Sequence, residues 1–299
     1  MKKFIILLIF LLFFDASLCY ALDWITIHNR AGSLTSKEIF SGAIYPKGSV
    51  EDYYLLGLSA LNEYNPDEAL VYFSEVLKVS PGSFEAQWGI AEVLRRKHKL
   101  DESQKDLEEI IKNHPDFAPA YLTLAYIKYL KLAFTKAAAI AHKAIDMGPD
   151  KIDKPNYVRA FGLYAACKGM LAHNGGPVSK IANGMAVIKY LNSGKKIDPE
   201  SATVNFGYGA YYMLIPGILG KDLNKAEEYL KKAIAKEPKF SDPYVRLAQI
   251  YKERKDYAKY DLYLNKALEL DPQNELALDV KEGRCNFICV PYKGQDDRK

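Results

Sequence analysis

The sequence predicts an all-α solenoid of about six stacked helix pairs, and three observations predict it. Prolines recur at Pro81, Pro115, Pro149, Pro199, Pro238 and Pro272, with spacings of 34, 34, 50, 39 and 34 residues. Ahead of these prolines the same small and apolar positions return. Helix-start signals such as Asn65-Pro66 fall midway through the units. Self-similarity at a period of this size marks stacked repeats, each one supersecondary unit that cannot bury its apolar face alone.

Taken in order, residues 1–21 read as an export signal. Lys2 and Lys3 precede an apolar run from Phe4 to Phe14, and small and polar residues follow. Eleven apolar residues span about 16 Å as a helix, roughly half of a bilayer core, which disfavours a permanent span. Cleavage after Ala21 is the leading expectation. A lipid anchor at Cys19 is the alternative, although Leu18 is not the small residue that normally precedes a lipidated cysteine. Loss of residues 1–21 removes two lysines and one aspartate, taking the net charge from +4 to +3. With no polybasic run, the chain has no nucleic-acid footprint. Three cysteines then remain: Cys167, Cys285 and Cys289. No C-x-x-C pair suggests zinc, and export would permit a disulfide between the last two.

An N-terminal extension, residues 22–49, lacks the repeat and is expected to run along the groove or stay mobile. The solenoid, residues 50–282, begins with Leu56-Gly57, Ala69, Phe73 and Val76 before Pro81. The second unit repeats this as Ile90-Ala91, Ser103, Leu107 and Ile110 before Pro115. The third reads Leu124-Ala125, Ala137, Ala141 and Ala144, and the last reads Leu247-Ala248, Tyr251, Leu264 and Ala267. Small residues on one helix admit its partner, and large ones such as Phe73 and Leu107 fill the space between units. Asn65 with Glu68 has the spacing of a capping box; Asp101, Asp222 and Asp256 are further N-cap candidates.

The fourth unit, from near Tyr157 to Pro199, is sixteen residues longer than the period, and the excess falls around "HNGGPVSK", His173 to Lys180. This stretch does not match a phosphate loop, which needs G-x-x-x-x-G-K-[S/T]. Pro177 offers no N–H, and Gly194-Lys195 is followed by Lys196. It reads as the turn between two lengthened helices, with Gly175 and Gly176 ending the first at φ > 0 and Pro177 starting the second. In the fifth unit "LIPGILGKD", Leu214 to Asp222, is an inserted bend of five residues. Residues 283–299 form a tail.

"YYLLGLSALNEYNPDEALVYFSEVLKVSPG" (Tyr53 to Gly82) and "YVRLAQIYKERKDYAKYDLYLNKALELDP" (Tyr244 to Pro272) closely resemble the tetratricopeptide repeat. The resemblance implies a right-handed α-α superhelix whose first helices line a concave groove. Its inward positions would be Tyr54, Leu58, Trp88, Glu92, Arg95, Tyr126, Tyr129, Arg159, Phe206 and Met213. Aromatic bodies with polar tips suit recognition of a protein or peptide partner. Clamp-type capture of a carboxylate tail is not supported, since Tyr54, Leu58 and Gly89 stand where the family uses lysine and asparagine. Export and the irregular fourth and fifth units are also similar to bacterial periplasmic repeat proteins. These include the helical accessory component of TRAP-type transporters, a trimeric lipoprotein. That likeness implies the alternative function, a hydrophobic small molecule or lipid held between the irregular units by Phe206, Tyr212 and Met213.

No catalytic set, cofactor site or metal site is expected. His28, His98, His114, His142 and His173 lack ligand spacing. His98 suits a helix end, and His142 reads as packed or at the surface. Cys167 with His173 carries no nucleophile signature. The acid pairs Glu108-Glu109, Glu227-Glu228 and Asp296-Asp297 are expected to face water. The leading expectation is a non-enzymatic, extracytoplasmic interaction scaffold.

Overall fold

The structure is a computed structural model that describes residues 22–40, 44–284 and 286–288. The expected leader with Cys19, and also Cys285, Cys289 and Asp296-Asp297, lie outside these residues. Among the described residues there are fifteen α-helices and no strand. Two helices come first, α1 (Trp24–Ser33) and α2 (Ser36–Phe40). Three regular hairpins follow: α3 (Val50–Asn62) with α4 (Pro66–Val79), α5 (Phe84–Arg96) with α6 (Leu100–Asn113), and α7 (Ala118–Leu130) with α8 (Phe134–Asp146). The fourth unit pairs α9 (Lys154–Asn174) with α10 (Pro177–Ile197), and the fifth pairs α11 (Ala202–Leu214) with α12 (Leu223–Lys236). The sixth pairs α13 (Asp242–Glu253) with α14 (Tyr257–Leu270), and α15 (Glu275–Glu282) ends the row. The fold is a tetratricopeptide-type helical solenoid.

The periodic positions form the core. Ala69, Phe73, Val76, Ala91, Ser103, Leu107, Ala125, Ala137, Ala141, Ala144, Leu247, Ala248 and Ala267 are all fully buried. Phe73 shows why the small positions recur. A methyl group at Gly57 would lie 2.6 Å from its ring, and one at Gly89 of the next unit also 2.6 Å. The ring is a wedge seated between two glycines, and it joins units one and two. Gly89 therefore faces the preceding unit and not the groove. Leu56 is only half-buried, so Phe73 is the centre of that interface.

Caps begin several helices. Asn65 accepts from the Glu68 N–H at 3.3 Å while its Nδ2 donates to Glu68 Oε2 at 2.8 Å, a capping box with an amide. Asp222 accepts from the N–H groups of Asn224 and Lys225, and Asp256 from that of Lys259. Asp101 is not an N-cap: α6 starts at Leu100, and Asp101 in its first turn accepts from Lys131 Nζ of the next unit at 2.5 Å. Asp67 and Lys97, one period earlier, make the same pair. A carboxylate on an exposed first turn already faces the positive helix end, and the neighbouring lysine takes its outer side.

Four regular units turn from first to second helix through a left-handed residue that is not glycine: Tyr64 (φ 55), His98 (φ 58), Leu132 (φ 59) and Lys255 (φ 62). In each, the next residue's N–H reaches a carbonyl five back, as in Asn65 to Ala60, Lys99 to Leu94, Ala133 to Lys128 and Asp256 to Tyr251, all 2.9 Å. This is the Schellman closure, and it satisfies carbonyls that would otherwise be orphaned. His98 thus stands just beyond its helix.

The long fourth unit departs from this scheme. Its helices are 21 residues each, so "HNGGP" is the turn between lengthened helices. The glycines do not adopt φ > 0, however: Gly175 has φ −93 and ψ 167, and Gly176 has φ −71 and ψ −180. Extended backbone leads straight into Pro177, which forbids the residue before it the α region. Crowding is the reason for glycine at 175, where a Cβ would lie 2.8 Å from the Leu171 carbonyl oxygen and 2.2 Å from Ser179 Oγ. In the fifth unit the bend is a 3₁₀ turn, Gly217–Leu219, closed by Gly220 at φ 96.

Candidate functional site

The first helices face a concave channel of about 1820 Å³. Both ends of the described chain enter this side of the solenoid. The start of the N-terminal segment is helical rather than extended: Asp23 caps α1, and α1 packs on α3 and α9. His28 holds it there, with Nε2 at 2.8 Å from Tyr54 Oη and Nδ1 at 3.0 Å from Asn156 Nδ2. Asp153 lies 3.5 Å from His28 Nδ1. Burial raises the Asp153 carboxyl, but His28 and the Asn156 hydrogen bonds outweigh it, leaving the carboxyl below the ordinary range. Trp24 packs edge-on against Phe117. At the other end, Asp279 accepts from the N–H groups of Asn286 and Phe287, both at 2.9 Å. The Phe287 ring stacks on Tyr129 at 5.5 Å, and the Ile288 carbonyl accepts from Arg246 Nη1 at 2.8 Å.

The channel also curls toward closure. Lys239, between the fifth and sixth units, donates to the Glu63 carbonyl at 2.8 Å and its carboxylate at 3.1 Å. His98 lies 3.8 Å from Asp271. Residues at the first two turns thereby meet loops more than 170 residues later.

Eight of the ten predicted inward residues line this channel: Leu58, Trp88, Glu92, Arg95, Tyr126, Tyr129, Arg159 and Phe206. Four form one network. Glu92 accepts from Arg95 Nη2 at 2.6 Å and Nε at 2.9 Å, from Arg96 Nε at 3.0 Å and from Thr123 Oγ1 at 3.1 Å. Trp88 Nε1 donates to the same Thr123 oxygen at 3.1 Å, and the Arg95 guanidinium lies over the Tyr126 ring at 4.9 Å. Burial pushes the Glu92 carboxyl up, but Arg95 and Arg96 outweigh it and hold it well below the usual carboxylate range. Tyr126 stacks on Tyr129 at 6.3 Å. Leu58 is buried at the channel edge.

Tyr54 and Met213 do not reach the channel. Tyr54 is 0% exposed beneath His28 and Phe73, because α1 covers it. Met213 is 1% exposed among Leu230, Leu247 and Ile250, on the side where the fifth unit meets the sixth. Tyr212 likewise stacks on Tyr229, which leaves Phe206 as the one expected ligand-pocket wall that faces the channel. Arg159 and Phe206 are the members least committed to structure. Among the described residues Arg159 makes one hydrogen bond, a 3.4 Å donation from Nη1 to Asn156 Oδ1, and Phe206 rests edge-on against Phe240.

Several channel residues escape sequence reasoning. Glu237 and Asp242 face Arg159 and Arg246 from the loop before α13 and its first turn, and loss of solvent raises both carboxyls. Burial lowers the Arg246 guanidinium, whose Nε has no partner among the described residues. Ile181 and Met185 stand exposed on α10 at the channel's apolar end. No periodic signal marks Ile181, Met185 or Glu237, which lie in the irregular fourth unit or in a loop, whereas Asp242 and Arg246 stand on the first helix of the regular sixth unit. His28 carried a clue in Asp23, an N-cap three residues before Thr26.

The other candidates have structural roles. Cys167 is buried against Ala137 and Ala138, where burial pushes its thiol up to about 12, and His173 is exposed near the end of the same helix. His142 bonds Asp146 and Tyr190. Glu227 does not simply face water: it accepts from Tyr251 and Arg254 of the next unit and from Lys231 on its own helix, and these bonds outweigh burial and bring it to about 2. Among the described residues no helix is long and apolar enough to cross a membrane.

Residues 60–127 and 241–274 each match a family model described as tetratricopeptide repeat. The human protein "Tetratricopeptide repeat protein 6" is 26% identical over 221 residues, which cover 73% of this chain and 38% of that protein. This chain therefore spans about two fifths of the length of the curated relative it matches. Among solved structures, the APC/C hetero-tetramer Cut9-Hcn1 is similar at 14% identity and a TM-score of 0.57, over 86% of this chain and 47% of that one. A monomeric mutant of IFIT1 with m7Gppp-AAAA is similar at 17% identity and a TM-score of 0.54, over 81% and 55%. These structures share the fold.

Proposed function

We propose that this tetratricopeptide-repeat solenoid is a non-enzymatic scaffold outside the cytoplasm that takes an extended segment of a partner protein into its concave channel. One observation carries the reading. The channel, about 1820 Å³, is larger than the roughly 300–1,000 Å³ that small-molecule pockets occupy. Its lining alternates aromatic and apolar walls with the polar heads of Arg159, Glu237 and Asp242. Such a surface can bury side chains of an extended peptide and hydrogen-bond its backbone.

The test uses peptides selected from a random library on the purified chain. Arg159→Ala and Phe206→Ala leave the buried network intact and should each weaken the selected peptides about tenfold or more, roughly 1.4 kcal/mol. Unchanged affinity in both variants overturns the placement. The second reading, a hydrophobic solute or lipid, is favoured by exposed Ile181, Met185 and Leu219 at one end of the channel. Native mass spectrometry that finds a retained lipid which selected peptides fail to displace would support it over the first.

A further inference from the structure

The five most exposed large apolar side chains among the described residues are Val178, Ile181 and Met185 on α10 and Ile218 and Leu219 in the 3₁₀ turn, all between 67% and 96% exposed. All five belong to the two insertions, which the stacking of regular units does not require. Two contacts set the register of α10 against α11: a Cβ at Gly194 would lie 3.2 Å from Val204, and one at Gly207 would lie 2.4 Å from Leu191. The helices run antiparallel, so each step toward the start of α10 matches a step toward the end of α11. Continued in that register, Met185 and Ile181 come level with the end of α11 and the bend after it. Ile181, Met185 and Leu219 border the same channel. The backbone on this rim is bare, since a Cβ at Gly176, Gly184, Gly217 or Gly220 would meet nothing within 4 Å. Exposed apolar residues scattered singly are ordinary, but a group of them on one rim marks a contact surface.

Charge around the rim indicates what it meets. Residues 154–197, which make up α9 and α10, carry six lysines and one arginine and no aspartate or glutamate, so the rest of the chain is net acidic. Lys168 and Lys180 near the turn and Lys189 at mid-helix have no carboxylate at ion-pair distance among the described residues; Lys168 and Lys189 lie over the Tyr164 and Tyr190 rings at 5.2 Å and 5.5 Å. Beside the bend, Asp222 is taken up as the α12 cap, with Lys225 Nζ at 3.7 Å, and Lys221 pairs with Glu253 at 2.7 Å. An apolar surface flanked by uncompensated lysines matches a layer with acyl chains beneath a negative face. A nucleic acid would leave the apolar side chains unused. We propose that this rim of the fourth and fifth units docks on an anionic lipid bilayer, with Val178, Ile181, Met185, Ile218 and Leu219 entering the interface and Lys168, Lys180 and Lys189 meeting the headgroups. Surface docking of this kind needs no helix that crosses the bilayer.

The purified full chain is sedimented with phosphatidylcholine vesicles made with and without an equal share of phosphatidylglycerol. Partition should be about tenfold or more stronger on the anionic vesicles and should fall steeply with added salt; equal partition on both overturns the proposal. A variant combining Ile181→Ser, Met185→Ser and Ile218→Ser, and another combining Lys168→Gln, Lys180→Gln and Lys189→Gln, should each lower it about tenfold or more. Unchanged partition in either overturns the proposal. The apolar run from Phe4 to Phe14 is the same in every form, so the differences report the rim. As a second readout, Ile218→Trp should shift its emission to shorter wavelength on anionic vesicles, and an unshifted spectrum overturns insertion. If the serine variant loses selected peptides while vesicle binding is unaltered, the rim serves a protein partner and the proposal fails. Arg159→Ala and Phe206→Ala, which test the channel, should leave vesicle binding unchanged, so either idea can fail without the other.

Discussion

Glu92 gathers two guanidiniums, a threonine hydroxyl and, through that hydroxyl, the Trp88 indole. A single carboxylate thereby holds the first helices of the second and third units at the channel wall. Glu92→Gln would leave Arg95 and Arg96 without a countercharge, and removing one partner of a buried pair costs about 3–5 kcal/mol. Urea unfolding at pH 7 should show that loss. Because the folded carboxyl lies below its ordinary value, its contribution is present above the unfolded pKa of about 4.3 and declines as pH falls through the folded value. The wild-type chain should therefore lose stability below about pH 4 more steeply than Glu92→Gln does, and parallel acid titrations of the urea midpoint check it. Trp88, Glu92, Arg95 and Tyr126 were legible as a set because helical spacing puts them on one face of consecutive first helices. Their engagement with one another was not legible, because it depends on how far one unit rotates over the next.

Helices in this protein are joined by shape at the small positions. Gly57→Ala would bring a methyl group to 2.6 Å from the Phe73 ring, and that ring cannot retreat because Gly89 seats its other side. The expected cost is about 1–3 kcal/mol, read from the urea midpoint, and Phe73→Asp should abolish cooperative unfolding altogether. The six hairpins and the two insertions were readable because each period places a small residue, a wedge and a terminating proline at fixed offsets. The turns were less so. Tyr64, His98, Leu132 and Lys255 adopt φ > 0 where composition suggests nothing, since the Schellman bonds on either side hold them there. Gly175 and Gly176 stay extended where composition suggests φ > 0: Pro177 disfavours the helical region for Gly176 immediately before it, and Gly175 is glycine because a Cβ there would crowd Ser179.

Over the whole molecule the notable feature is that α1 and residues 286–288 occupy part of the concave side. Both tryptophans of the chain, Trp24 and Trp88, lie around the α1 contact, so fluorescence reports its docking. His28→Ala removes the bonds to Tyr54 and Asn156; it should shift tryptophan emission to longer wavelength while far-UV circular dichroism stays near wild type, and an unchanged spectrum would count against α1 as the groove's inner wall. The sequence alone determined the class of fold, the number of units and which residues seal each interface. These follow from nearest-neighbour packing, which a period of 34 residues encodes locally. Only the tertiary structure decided which groove residues remain open, why Tyr54 and Met213 are closed off, and that Lys239 meets Glu63. Those outcomes depend on small rotations accumulated over six units, which bring together residues that no local pattern relates.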